Sequence, residues 1–231
     1  IENLSFDLYR GETLGLVGES GSGKSTLGYS LMNLIEKAKG EIYFENRLIS
    51  NLNKKELREL RKDIQIIFQN PYSSLNPRIR IGQALEEVLK VHKIGNNSKE
   101  RKEEVIKMLE RVGLEKEHYN RYPHEFSGGQ RQRIGIARSL LLRPKIVICD
   151  ESVSALDVRV QAQILSLLNE LKQEFSLTYI FITHDLGVVR FMSDRIMVMQ
   201  RGEIVEMERT DKLFENPQTQ YTQKLISSIP N

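Results

Sequence analysis

A chain of 231 residues with 39% hydrophobic content is long enough for one domain with a sizeable core plus a smaller lobe. Its 34 basic and 31 acidic residues leave a net charge of +3, far from the concentrated positive footprint of a dedicated nucleic-acid binder. A lone cysteine, Cys149, excludes an internal disulfide; the apolar runs are strand-length, too short for a membrane-spanning helix, and the first residues lack the basic-then-apolar layout of a secretory signal.

Thr13–Val17 reads as a buried strand, and Gly18-Glu19-Ser20-Gly21-Ser22-Gly23-Lys24-Ser25 directly after it fits G-x-x-x-x-G-K-[ST]. Gly18, Gly21 and Gly23 permit torsions that turn successive N–H groups around a phosphate, and a helix opening near Lys24 aims its positive end at the same place. Lys24 is expected to reach the terminal phosphates of ATP and the Ser25 hydroxyl to join a Mg2+ sphere, with Thr26 assisting through packing at the helix start. Further on, Lys54–Lys62 mixes both signs, as a solvated helix face does. The apolar strand Ile64–Phe68 then delivers Gln69 to a Pro/Asn/Ser-rich stretch, where an exposed loop amide is the plain reading.

Residues 71–142 read mostly helical, between strand-helix alternation at 1–68 and at 145–208. Val105, Met108, Leu109 and Val112 share one helical face ahead of Gly113, a C-terminal stop, so that stripe is core, and Lys99–Glu104 is a solvated face. Ser127 is placed to cap an amphipathic helix from about Gln130 to Leu142. Lys145 to Glu151 reads as a central parallel strand, with Cys149 inside it as a small hydrophobe. Open parallel sheets bind ligands at the C-terminal ends of their strands; Asp150 is placed to hold Mg2+ through water and Glu151 to orient or deprotonate an attacking water. After Asp157, Val160, Ile164, Leu167, Leu168 and Leu171 recur at helical spacing, again a core face. His92, His118 and His124 form no metal spacing with Cys149.

The phosphate loop, Gln69, Phe126-Ser127-Gly128-Gly129-Gln130, Asp150-Glu151, Ser154-Ala155-Leu156-Asp157 and Thr183-His184-Asp185 stand in the order of an ABC-transporter ATPase, which the chain resembles from about residue 4 onward. Ile67 to Pro71, Ser74 to Pro77, Tyr122 to Phe126, Asn216-Pro217 and Tyr221-Thr222 are similar to the oligopeptide/dipeptide/nickel importer branch; Gln130 and Gly135 to Arg138 look like its F-type subunit. The resemblance implies that Ser127, Gly128, Gly129 and Gln130 close on the γ-phosphate of ATP held by an opposite cassette, with Asp157 crossing that interface and His184 contacting the γ-phosphate from the loop after the strand Thr178–Ile182; the match of Phe68 and Asn70-Pro71 around Gln69 implies a hinge residue able to touch Mg2+. It further implies transmembrane permease subunits, a second and distinct D-type ATPase, an external substrate-binding protein, no nucleic acid, and peripheral attachment at the cytoplasmic face of the cell membrane.

The expected fold is α/β: a P-loop NTPase core at 1–70 and 143–231, mostly parallel sheet flanked by helices, with an inserted α-helical subdomain at 71–142 and a small antiparallel β subdomain. Departures from the family pattern are Ser152 where proline is usual, Gln220 in place of a common proline, an end short of the Cys-bearing tail of longer members, and a start at Ile1 without the strand whose aromatic ring stacks on adenine. That start points to a trimmed N-terminus. The alternatives are a nucleic-acid-associated ABC ATPase and a non-hydrolysing ATP-gated interaction module. Charge and the lack of a coiled-coil insertion or second cassette weigh against the first, and Glu151 against the second. A P-loop kinase leaves the signature unexplained, and a GTPase needs an Asn-Lys-x-Asp guanine reader that the sequence lacks.

Overall fold

The five residues of β1, Thr13–Val17, are all buried, as expected for a strand covered on both faces. The protein is seen as a computed structural model that describes residues 1, 4–35, 39–69 and 75–228. After β1 come α1 (Lys24–Leu31), the short strands β2 (Tyr43–Phe44) and β3 (Arg47–Leu48), α2 (Lys54–Asp63) and β4 (Ile64–Ile67). Helices α3 (Ile81–Val91) and α4 (Ser98–Arg111), two 3-10 turns at Lys116–Asn120 and Pro123–Glu125, and α5 (Gly128–Leu140) follow. The chain then alternates through β5 (Ile146–Asp150), α6 (Val158–Phe175), β6 (Thr178–Ile182), α7 (Leu186–Met192) and β7 (Arg195–Gln200), and closes with β8 (Glu203–Arg209), α8 (Thr210–Glu215) and α9 (Gln220–Ser227).

The main sheet has the order β4-β5-β6-β1-β7-β8, parallel from β4 to β7, with β8 antiparallel against β7. β2 and β3 pair antiparallel in a separate small sheet. Side chains alternate between its faces as the period of two requires: Val147, Cys149, Tyr179 and Phe181 enter a cluster shared with α3 to α6, whereas Ile148, Ile180 and Ile182 enter the cluster beneath α1 and α2. At Gly15 a Cβ would lie 2.2 Å from Val189 Cγ2 and 2.4 Å from Ser193 Oγ, so the absent side chain lets α7 lie close on β1.

The registers bring the strand ends level. Ile67 pairs with Cys149, Asp150 with Ile182 and Leu16 with Ile182, so the segments at 18–25, 68–69, 151–157 and 183–185 all leave one edge of the sheet. The lobe helices carry the expected core face: Val105, Leu109 and Val112 are fully buried and Met108 nearly so, and Gly113 takes φ 79° where α4 stops.

Three boundaries differ from the sequence reading. β4 ends at Ile67, leaving Phe68 outside it and 37% exposed. α5 starts at Gly128 and ends at Leu140, because the Ser127 side chain accepts from the Gln130 N–H while the Gln130 side chain accepts from the Ser127 N–H, a reciprocal cap that makes Gly128-Gly129-Gln130 the first turn. Val160 is only partly buried, at the start of α6, while Ile164, Leu167, Leu168 and Leu171 are buried as expected. Asn70, Pro71 and Ser74, counted above among the branch features, lie outside the described residues. Cys149 is fully buried and its thiol is pushed up to about 12 by burial, consistent with a packing role.

Candidate active site

The loop between β1 and α1 is strongly constrained. Gly18 takes φ 151°, and a Cβ there would meet the Met199 carbonyl oxygen at 2.1 Å, so only glycine lets the loop pass β7. Gly21 and Gly23 also have positive φ, 81° and 101°, and α1 begins at Lys24 directly after Gly23. The Lys24 ammonium, 5% exposed, donates to Gly18 O at 2.8 Å and Glu19 O at 2.9 Å, with Ser22 Oγ at 3.4 Å. Burial lowers the Lys24 pKa, and the nearby Glu151 and Asp150 carboxylates pull it back up. A compact cation thus sits against the carbonyl oxygens of the loop at the start of α1, the helix end whose positive dipole favours anions.

Asp150 ends β5 and is 4% exposed; its Oδ1 accepts from Ser25 Oγ and its Oδ2 from the Tyr29 hydroxyl, both at 2.8 Å. Tyr29 is pushed up to about 12, by burial first and then by its bond to Asp150, so it is the protonated donor. Glu151, one residue on, takes φ 46° and donates its N–H to Ile182 O at 2.9 Å, which turns its carboxylate out of the sheet edge. There its Oε2 accepts from Gln69 Nε2 at 2.9 Å, and its Oε1 lies 3.4 Å from His184 Nδ1. Gln69 also reaches Ser154 Oγ at 3.2 Å. Lys24, Ser25, Asp150, Glu151, Gln69 and His184, distant in sequence, therefore share one edge.

Ser127, Gly128, Gly129, Gln130 and Asp157 form a second group. Asp157 caps α6 by accepting from Val160 N at 3.0 Å, and a Cβ on Gly129 would meet Val160 Cγ1 at 2.5 Å, so the α5 and α6 starts pack together. Ser127, Gly128 and Asp157 are exposed, and among the described residues no hydrogen bond or ion pair joins this group to the phosphate loop. Glu19, Ser20, Gly21 and Thr26 are exposed on the loop and the first turn of α1.

The sequence profile of the ABC transporter family matches residues 1–154, two thirds of the chain and the whole stretch from the phosphate loop through Glu151. The chain belongs to the ABC transporter family. ABC cassettes among solved structures share its fold: cbiO1 of Clostridium perfringens, part of the ABC transporter complex cbiONQ, superposes with a TM-score of 0.82 at 29% identity, covering 92% of this chain and 83% of that one. MJ0796, a bacterial ABC transporter cassette solved as a dimer, gives 0.78 at 32% identity over 89% of this chain and 88% of that one. Among curated relatives, the oligopeptide transport ATP-binding protein OppF of Bacillus subtilis is 53% identical over all of this chain and 76% of its own length. The glutathione import ATP-binding protein GsiA of Salmonella typhimurium is 54% identical, but the chain spans only 37% of it. The ABC chain is an ATPase domain, with the phosphate loop and acidic strand end that this chemistry needs.

Two residues that the sequence reading did not assign to the site touch it. Tyr29 stands four residues after Ser25 on α1, so both face Asp150 on one side of the helix; that spacing was a usable signal. Tyr221, on α9, accepts at its hydroxyl from Glu19 N at 3.1 Å across 202 residues, and no local pattern announces such a contact.

Proposed function

We propose that the chain is the ATP-hydrolysing subunit of a peptide importer, working as one of a pair of cassettes. The observation that carries the catalytic reading is Glu151 held between Gln69 and His184, one residue beyond the Asp150–Ser25 pair and beside Lys24. Lys24 and the N–H groups from Gly23 to Ser25, at the start of α1, hold the phosphates of ATP; Glu151 accepts the proton of the attacking water, with Gln69 and His184 orienting that carboxylate and the γ-phosphate. Hard oxygen donors suit Mg2+, and the contact of Ser25 Oγ with Asp150 Oδ1 at 2.8 Å already brings hydroxyl and carboxylate oxygens together, so Ser25, Asp150 and the amide oxygen of Gln69 would hold it. Bound there, Mg2+ supplies positive charge against the phosphate oxygens. By holding Asp150 Oδ2, Tyr29 orients a ligand from behind, and Tyr29→Phe is expected to raise the Mg2+ concentration for half-maximal ATPase activity about tenfold, measured by magnesium titration at saturating ATP.

The exposed start of α5 at Ser127-Gly128-Gly129-Gln130, with Asp157 beside it, is an anion-binding helix end facing outward, suited to ATP held by a second cassette. Two composite sites then form head to tail, and hydrolysis reopens them. The lobe at 71–142 carries that signature, and the core at 1–70 and 143–231 carries the phosphate loop, so motion of one against the other at Gln69 links ATP to the membrane partners. Those partners are permease subunits at the cytoplasmic face of the membrane, fed by an external substrate-binding protein; the second cassette is a distinct D-type chain. The names of the relatives, oligopeptide and glutathione import proteins, favour short peptides over nickel-type ligands as cargo. Purification of tagged Glu151→Gln protein from detergent-solubilised native membranes with ATP is expected to recover permeases and a second cassette, identified by mass spectrometry. Recovery of ribosomes or nucleic acid without a multi-spanning protein overturns the importer reading.

A further inference from the structure

Glu19, the first residue after Gly18, is fixed from both of its peptide groups. Its carbonyl accepts from Lys24 Nζ at 2.9 Å and from Ser22 N at 3.1 Å, while its N–H donates to the Tyr221 hydroxyl at 3.1 Å. The residue that steadies the phosphate-binding lysine is therefore itself steadied by a side chain on α9. We propose that Tyr221 is a positioning residue for the phosphate loop, and that α9, anchored on Glu206, is a strap that holds the loop in its ATP-binding shape. The proposal rests on the reading of that loop as the ATP site.

The anchor is dense. The Glu206 carboxylate, on β8, accepts from Gln218 N at 2.8 Å, Thr219 N at 3.1 Å and Thr219 Oγ1 at 3.1 Å. Thr219 in turn caps α9, its Oγ1 accepting from Thr222 N at 3.1 Å, so Glu206 sets where the first turn of α9, and with it Tyr221, must stand. Apolar contacts run the same way: Tyr221, Leu225 and Ile226 pack on a cluster that contains Val17, the residue before Gly18, and Leu186, two residues after His184. On its other side the loop is braced by Gly202 N, in the turn between β7 and β8, donating to Ser22 O at 3.0 Å. A loop of glycines and serines has much conformational freedom to lose when it closes on phosphate, and bracing it in advance lowers that cost.

The test is isothermal titration of ATP into the full chain as wild type, Tyr221→Phe, Glu206→Gln and the double variant, well below the melting midpoint, with steady-state kinetics alongside. Tyr221→Phe keeps the ring and its packing and removes one hydrogen bond, so the ATP Kd is expected to weaken roughly fivefold, and the loss should appear in KM rather than kcat. Glu206→Gln should weaken ATP in the same direction, and the double variant should be no weaker than the weaker single one, because both act through one hydrogen bond. An unchanged Kd in Tyr221→Phe, even with a lowered melting midpoint, overturns the strap, as do losses that multiply in the double variant. Wild-type protein that fails to bind ATP overturns the site reading itself and the strap with it.

Discussion

Glu151→Gln is expected to lower ATP turnover by about two to four orders of magnitude, the usual contribution of a positioned base, while leaving ATP bound. The substitution is close to isosteric, and the left-handed backbone at Glu151, φ 46°, is no more costly for Gln than for Glu. An amide oxygen can still accept from Gln69 Nε2, which stands 2.9 Å from Oε2 in the native protein, so the segment between β5 and α6 keeps its shape. What disappears is the capacity to take a proton, together with the negative charge facing His184 Nδ1 at 3.4 Å. Phosphate release at saturating ATP measures the first effect, and light scattering with ATP present should show paired cassettes accumulating because the reopening step is blocked. Turnover within a few-fold of wild type would remove Glu151 from the role of base and revive an ATP-gated interaction module.

Much of this edge could be read from the chain because its elements are local. The run Thr13–Val17, the glycine spacing after it and the helix from Lys24 are fixed by neighbours within a dozen residues; the cap by Ser127 is as local, but the reciprocal bond from the Gln130 side chain, which moves the helix start to Gly128, was not read. The position of the acids at the end of β5 was legible for the same reason, an apolar run of strand length that ends at charge, whereas His184 after β6 entered only through the resemblance of Thr183-His184-Asp185 to the family motif. Sheet order is another matter. Nothing in the composition of β1 says that it lies between β6 and β7, and the approach of Gln69 and of His184 to Glu151 follows from the adjacency and register of β4, β5 and β6. Tyr29 carried a helical-spacing signal through Ser25, whereas the Tyr221–Glu19 and Gly202–Ser22 contacts join segments that only the finished fold brings together. The sequence assigned Lys24 to phosphate; burial adds that its ammonium must always have acceptors, which Gly18 O and Glu19 O supply.

That second role of Lys24 makes its replacement costly in two ways. Lys24→Met retains length and apolar volume but deletes the charge, so each charge-assisted contact to phosphate is lost at about 1.5–3 kcal/mol, and the ATP Kd is expected to weaken roughly 10- to 100-fold. The carbonyls of Gly18 and Glu19 also lose the donor that draws them inward, and the loop is left to the Tyr221 and Gly202 braces and its own Ser22 N to Glu19 O bond. Lys24→Arg should not rescue binding: the site is 5% exposed, Ser22 Oγ and two carbonyls already crowd the ammonium, and a planar guanidinium is too wide for that space. Calorimetric titration of ATP into both variants separates the contributions. If Lys24→Arg binds ATP as wild type does, charge alone suffices and the close fit around the ammonium is incidental; if both variants fail, the compact geometry of lysine within this ring of backbone groups is what selects it.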